Sequence, residues 1–189
     1  MYESSFLFLI SSRNKISTHI QTFICILGGI CLMSLSAHIA IPLWCSVVPL
    51  TLQTAMLPLI AWTFGKKKGT SIILFYILQG IMGVPCFAAG ASGLAYVVFG
   101  PTGGYLAAMP IMAYFIGKFS DKQNKKVSAN FLGLLFLMLG TCLTLGSLRL
   151  VPMLGWKQAF LSGMLPFILT GAMSNFFVFY FTLARFGKK

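Results

Sequence analysis

Acidic side chains are almost missing from this chain. Glu3 and Asp121 are the two that occur in 189 residues, against 14 Lys plus Arg, which leaves a formal net charge of +12. Charged residues of both signs reach only 8%, where a soluble domain carries about a quarter. A water-soluble globule is therefore excluded. The shortage of acids also removes chemistries. No Asp or Glu sits inside an apolar stretch, so the proton relays and carboxylate cation sites of ion-coupled carriers have no residues to build them. Ser/His/Asp catalysis lacks its orienting carboxylate, and no catalytic residue is expected. The five cysteines, Cys25, Cys31, Cys45, Cys86 and Cys142, form no CxxC pair and no Cys/His spacing of the zinc type, so neither a metal site nor a disulfide framework is implied. No GxxxxGK[ST] loop is present to cradle a phosphate, so the chain has no means of energising transport by itself. Met1 to Ile10 is apolar with no basic region ahead of it, which argues against a cleaved signal peptide.

What the chain has in abundance is apolar sequence: 58% hydrophobic residues and a mean hydropathy of +0.89, spread along the whole length. A spanning helix needs about 20 mostly apolar residues, and six stretches supply them: 18–40, 46–64, 69–87, 104–118, 129–148 and 158–183. The fourth is short, and Gly103, Gly104 and Pro110 weaken its regularity. The expectation is an all-α integral membrane protein, a bundle of six transmembrane helices over 18–189. Residues 1–17 precede it as a cytoplasmic or interfacial segment.

Charge fixes the orientation of that bundle. Arg13 and Lys15, Lys66 to Lys68, Lys118 with Lys122, Lys125 and Lys126, and Arg185 with Lys188 and Lys189 all fall on one face of a six-span topology. The positive-inside rule makes that face cytoplasmic, with both termini inside. Cations grouped this way between apolar runs do not form the solvated basic face that nucleic-acid binding needs. Arg149 and Lys157 remain on the outer face. The outer linkers 41–51, 83–103 and 149–157 are rich in Gly and Pro and nearly as apolar as the spans. Backbone of this kind near membrane depth has to be satisfied by protein or line a cavity, so 83–103 reads as a re-entrant or capping loop. An outward-facing pocket capped by loops follows.

Polar residues embedded in apolar surroundings are the candidates for that pocket: Thr51 and Gln53 at the outer end of the second span, Gln79 on the third, Ser174 and Asn175 on the sixth. Gln79 and Ser174 read first as interhelical glue, whereas Gln53 lies beside the suspected lid. Trp44 and Trp62 fit an interfacial aromatic belt. Trp156, beside Lys157 and on the same linker as Arg149, either belongs to the belt or walls the pocket. The first span is dense in small residues, among them Ser34, Ser36, Ala37 and Ala40. Small residues let helices approach closely in lipid, either within the bundle or against another membrane protein.

Four stretches carry a resemblance: AHIAIPL (Ala37 to Leu43), VPLTLQT (Val48 to Thr54), GVPCFAAGASG (Gly83 to Gly93) and GPTGGY (Gly100 to Tyr105). In this order and spacing they resemble the BioY family, the substrate-binding S components of energy-coupling-factor transporters for biotin. The resemblance implies a multi-pass protein of a prokaryotic plasma membrane that captures biotin outside. It implies as partners a transmembrane coupling protein and two cytoplasmic ATPases, and no cofactor of its own. It implies that the coupling protein docks on small residues of the first helix, here Ser34, Ser36, Ala37 and Ala40, although the stretch departs from strict AxxxA.

Family members usually carry an Asp and, three residues later, a Lys in the sixth span, both in the biotin site. Here PFILTGAMSNFF (Pro166 to Phe177) places Ala172 and Asn175, or Gly171 and Ser174, at those positions. Biotin brings a ureido group with two N–H donors and a carbonyl, an apolar bicycle and a carboxylate. With the charges gone, Gln53, Asn175 and Ser92 are left for the ureido group, with Thr51 beside them. Phe87, Tyr105 or Trp156 remain for the bicycle, and Arg149 or Lys157 for a carboxylate that otherwise stays hydrated at the pocket mouth. Two other readings stand beside this one: an S component for another small vitamin or organic acid, and a non-transporting membrane assembly subunit.

Overall fold

The computed structural model describes residues 18–44 and 46–186. The expected N-terminal segment 1–17, Cys45, Lys188 and Lys189 lie outside the described residues. Helix α1 (Thr18–His38) leads into a two-residue antiparallel ladder, β1 (Ala40–Ile41) with β2 (Leu50–Thr51), in the register Ala40 to Thr51 and Ile41 to Leu50. Next come α2 (Gln53–Ile81), a 3-10 turn at Ala88–Gly90, α3 (Leu94–Phe99), α4 (Gly103–Lys122), α5 (Ala129–Leu154), α6 (Trp156–Gly163) and α7 (Leu165–Phe186).

The described residues are mostly helical, and the small ladder adds two short strands that the expectation did not include. Ile41 precedes Pro42, and a residue before proline is pushed out of the helical region into extended backbone. The second expected span accordingly starts at Gln53 rather than at 46. Three segments are long and apolar enough to cross a membrane: Ile20–His38, Ala129–Leu154 and Trp156–Phe186. Helix α2 has Lys66, Lys67 and Lys68 at its middle, and α4 carries Lys118, Asp121 and Lys122 in its last turns. Neither offers an uninterrupted apolar window.

The linker expected between the second and third spans shrinks to one residue. Gly65, at φ 74° and ψ −175°, breaks α2 into two legs, a conformation open essentially to glycine alone. The break is gripped by α4. The Lys66 backbone N–H donates to Asp121 Oδ2 at 2.9 Å, and Ser120 Oγ donates to the Trp62 carbonyl at 2.7 Å. A β-carbon on Gly117 would lie 2.7 Å from the Gly65 carbonyl carbon, so the two backbones touch. Asp121, the acid within the described residues, thus serves as a cap for the second leg's first donor.

Trp62 departs from its expected place. It is fully buried and packs on Phe131 at 4.0 Å between ring centroids and on Phe119 at 6.4 Å, because the Gly65 turn pulls its leg into the α4 and α5 contacts. Trp44, in the β1–β2 turn, is fully exposed as an interfacial residue would be.

Helix α5 continues past 148 to Leu154, so Arg149 stands on a helix and not in a loop. Gly155, at φ 77°, ends it, and Trp156 and Lys157 open α6. Since Lys66 is bonded to Asp121 while Gln53 and Gly103 begin their helices at the other end, the lysines of α2 and α4 gather at one end of the bundle. The ladder and the 83–103 segment gather at the opposite end.

Candidate functional site: a neutral cavity at the loop end

At the loop end, β2, the start of α2, the 3-10 turn, α4, α5 and α7 surround a cavity. The space that the centre of a water molecule can occupy there is about 90 Å³, several times the ~10–15 Å³ that one water needs by this measure. Its walls are mostly apolar, with Leu57, Leu106, Met109, Met112, Leu143 and Phe167 contributing. A set of polar side chains interrupts them: Thr51, Gln53, Thr54, Thr102, Tyr105, Thr170 and Asn175.

The elements fix these groups through packing and hydrogen bonds. Gln53, buried at the first turn of α2, accepts from Thr51 Oγ1 at 3.2 Å and donates through Nε2 to Tyr76 Oη at 2.7 Å. Tyr76 in turn donates to the Cys86 carbonyl at 3.1 Å. This chain ties the head of α2 to its second leg and to the 83–103 segment, and it leaves the Gln53 amide largely occupied by protein partners. Phe87 follows Cys86 and lies edge-on to Tyr76 at 5.7 Å. Its ring covers Gly80 so closely that a β-carbon there would fall 2.1 Å from Cζ. Tyr105 crosses Gly146 of α5 in the same way, at 2.2 Å from the position of a β-carbon, and its hydroxyl donates to the Gly163 carbonyl.

Asn175 differs from the other polar groups. It is 4% exposed and lines the cavity from α7, and its Nδ2 is buried without a hydrogen-bond partner. Thr102 Oγ1 is in the same condition. A buried donor left unpaired costs about 1–3 kcal/mol, so these two atoms mark where a ligand's polar group would be welcomed.

Five of the nine residues expected at the pocket line this cavity: Thr51, Gln53, Phe87, Tyr105 and Asn175. Four do not. Ser92 lies beyond the 3-10 turn and away from the cavity walls. Arg149 projects from α5 and donates through Nη2 to the Val98 carbonyl at the end of α3, holding the 83–103 segment instead. Trp156 is 73% exposed at the start of α6 and Lys157 is exposed beside it. The last three share a setting: α5 runs six residues longer than its hydropathy suggests, so Arg149 stands on α5 and Trp156 and Lys157 open α6 instead of lying in one loop over the cavity. Thr54, Thr102, Thr170 and Cys142 line it without having been singled out, as does Gly171, which one alignment of the sixth span places at a site position; a threonine, a thiol or a glycine in an apolar helix looks the same in sequence whether it faces lipid or a cavity.

The small residues of the first helix turn inward. Ser36 is 2% exposed and bonds the Met33 carbonyl, and Ala37 is fully buried. Ser34 bonds the Ile30 carbonyl and receives Gln79 Nε2 at 2.8 Å, an interhelical link between α1 and α2. Ala40 lies in β1. Ser36 and Ala37 are thus buried, and Ser34 and Ala40 are half-buried. The residues α1 leaves exposed include Phe23, Leu27 and Leu35, with Gly28 in open space between turns.

A model of the BioY family matches residues 11–186. The chain belongs to the BioY family. Among the relatives of this family member, the probable biotin transporter BioY of Pyrococcus horikoshii is 36% identical over 74% of this chain and 80% of its own length. The biotin transporter BioY2 of Lactococcus lactis subsp. cremoris is 32% identical over 89% and 91%. The fold is similar to the crystal structure of the S-component for biotin from an ECF-type ABC transporter, with a TM-score of 0.76 at 20% identity, covering 90% of this chain and 94% of that one.

Proposed function

We propose that this chain is the biotin-capturing membrane component of an ATP-driven vitamin importer. In this reading α1, the two legs of α2, α4, α5 and α7 are six transmembrane passes, and the cavity opens to the outside. The basic end faces the cytoplasm with both termini, as the positive-inside rule requires. The observation that carries the reading is membership, matched over residues 11–186, of a family whose curated relatives include biotin transporters. A pocket of mixed apolar and amide character under a Gly-rich loop supports it.

Within the cavity, Phe87 and Tyr105 offer ring faces for the apolar bicycle, and Asn175 offers its free amide N–H to the ureido carbonyl. Gln53 and Thr51 act on the same wall. Gln53 does so chiefly by holding Tyr76 and the Cys86–Phe87 backbone in place. The chain catalyses nothing; it binds, and energy enters through a coupling protein and two cytoplasmic ATPases that supply the absent nucleotide motif.

The test is uptake of labelled biotin in a biotin-auxotrophic bacterium deprived of its own importer. With this chain, an energy-coupling-factor coupling protein and active ATPases, uptake rises well above the vector control and stops when the ATPases are inactivated. Uptake no greater than the control, with the chain present in the membrane, would overturn the assignment.

A further inference from the structure

Every side chain that lines the cavity is uncharged. Among the described residues, Arg149 packs against Gly103 and Gly104 at the α4 start without lining the cavity and is engaged with the Val98 carbonyl, and Lys157 is out on α6. An ionised carboxylate drawn into this space would lose its hydration and meet no charged side chain in the lining, which disfavours its entry. The unpartnered groups in the lining point to a different chemistry. Asn175 Nδ2 is a donor, buried and unpaired, and it calls for a neutral carbonyl acceptor. Thr102 Oγ1, equally unpaired, can give or take one bond.

From this we infer that the cavity reads only the uncharged end of its ligand, a cyclic urea or amide carbonyl set on an apolar ring, and leaves the ligand's carboxylate unread in water at the mouth. The inference rests on the biotin reading above. It implies a specificity broader at the carboxylate than at the ring: esters, amides and lysyl conjugates of biotin that keep the ureido ring are ligands, whereas ring-opened diamines are not. Asn175 sets that preference.

The experiment is competition against labelled biotin on the full chain purified in detergent, using biotin methyl ester, biotinamide and diaminobiotin. The ester and the amide should compete within about three-fold of biotin, a difference below half a decade and so under about half of the tenfold step that 1.4 kcal/mol represents. Diaminobiotin, which lacks the carbonyl and carries charge, should be weaker by about a hundred-fold or more. Asn175→Leu, which removes the free donor while keeping an apolar wall, should weaken biotin and its methyl ester by the same factor, about ten-fold. An ester or amide more than ten-fold weaker than biotin overturns this inference while leaving the biotin reading intact. Equal competition by diaminobiotin does the same. If biotin itself shows no saturable binding to folded protein, the biotin reading fails and takes this inference with it.

Discussion

Replacing Gly65 by alanine tests whether the grip of α4 on the broken α2 is what shapes the bundle. Two separate penalties are foreseen. Gly65 sits at φ 74° and ψ −175°, a region where a non-glycine residue costs about 1–3 kcal/mol. The new β-carbon would also lie 2.2 Å from Asp121 Oδ1, so the carboxylate must swing away and surrender its bond to the Lys66 N–H. That bond is equivalent to a helix cap, worth about 1 kcal/mol at an exposed site. The sum is about 2–4 kcal/mol, and at roughly 2–4 °C per kcal/mol for a chain of this size the apparent Tm in detergent should fall by about 5–15 °C. Fluorescence of the buried Trp62 beside the break gives the readout.

The decisive comparison is a double-mutant cycle with Asp121→Ala. Asp121→Ala alone loses the cap and should cost about 1 kcal/mol. In that background Gly65→Ala no longer meets a carboxylate and retains only the backbone strain, so the double variant should be more stable than the sum of the single effects by about 1 kcal/mol, a coupling typical of residues in contact. Strict additivity, or a Gly65→Ala protein as stable as the parent, would refute the account of the break.

Two further predictions concern α1 and the site. Ala37→Leu, at a fully buried position, should lower thermal stability by about 1–3 kcal/mol through overpacking, whereas Gly28→Leu, in open space, should leave stability close to the parent; a thermal melt of both decides, and the opposite order would place the small residues outside. Tyr76→Phe removes the link between Gln53 and the Cys86 carbonyl and leaves both without that partner, so stability should drop by about 1–3 kcal/mol, with biotin affinity falling as Phe87 loosens; an unchanged melt and unchanged binding would remove Tyr76 from the support of the site.

The sequence makes the apolar architecture legible because hydropathy and the grouping of lysines follow directly from the membrane as solvent. Boundaries are less legible where local chemistry competes with hydropathy. The Ile41–Pro42 step sets a short strand just after the first span, Gly65 compresses a linker into one residue, and α5 runs on through Arg149 to Leu154. The site follows the same division. Gln53, Phe87, Tyr105 and Asn175 stand out as amides or aromatics beside a Gly-rich loop, and they do line the cavity. Arg149 and Lys157 stand out as the outward cations and Trp156 as an aromatic beside them, yet α5 runs six residues past its expected end and none of the three lines the cavity. Thr102, inside the GPTGGY stretch, and Gly171, at one alignment of the sixth-span site, stand where the resemblance points but are not singled out as lining residues, since which face of a helix meets a cavity depends on packing between helices distant in sequence. The small residues of α1 illustrate the same limit: smallness signals close approach, and the approach at Ser36 and Ala37 is to the protein's own interior.

The most direct test of the central claim is equilibrium binding of labelled biotin to the purified chain, compared with Gly171→Leu. Gly171 lines the cavity, and a β-carbon there already lies 2.6 Å from Leu139, so a leucine side chain is forced into the space the ligand would fill. The account predicts saturable one-site binding by the parent and at least about a ten-fold loss in Gly171→Leu, with both proteins eluting as the same folded species. Absence of saturable binding by the folded parent, or binding in which Gly171→Leu matches the parent, would contradict it.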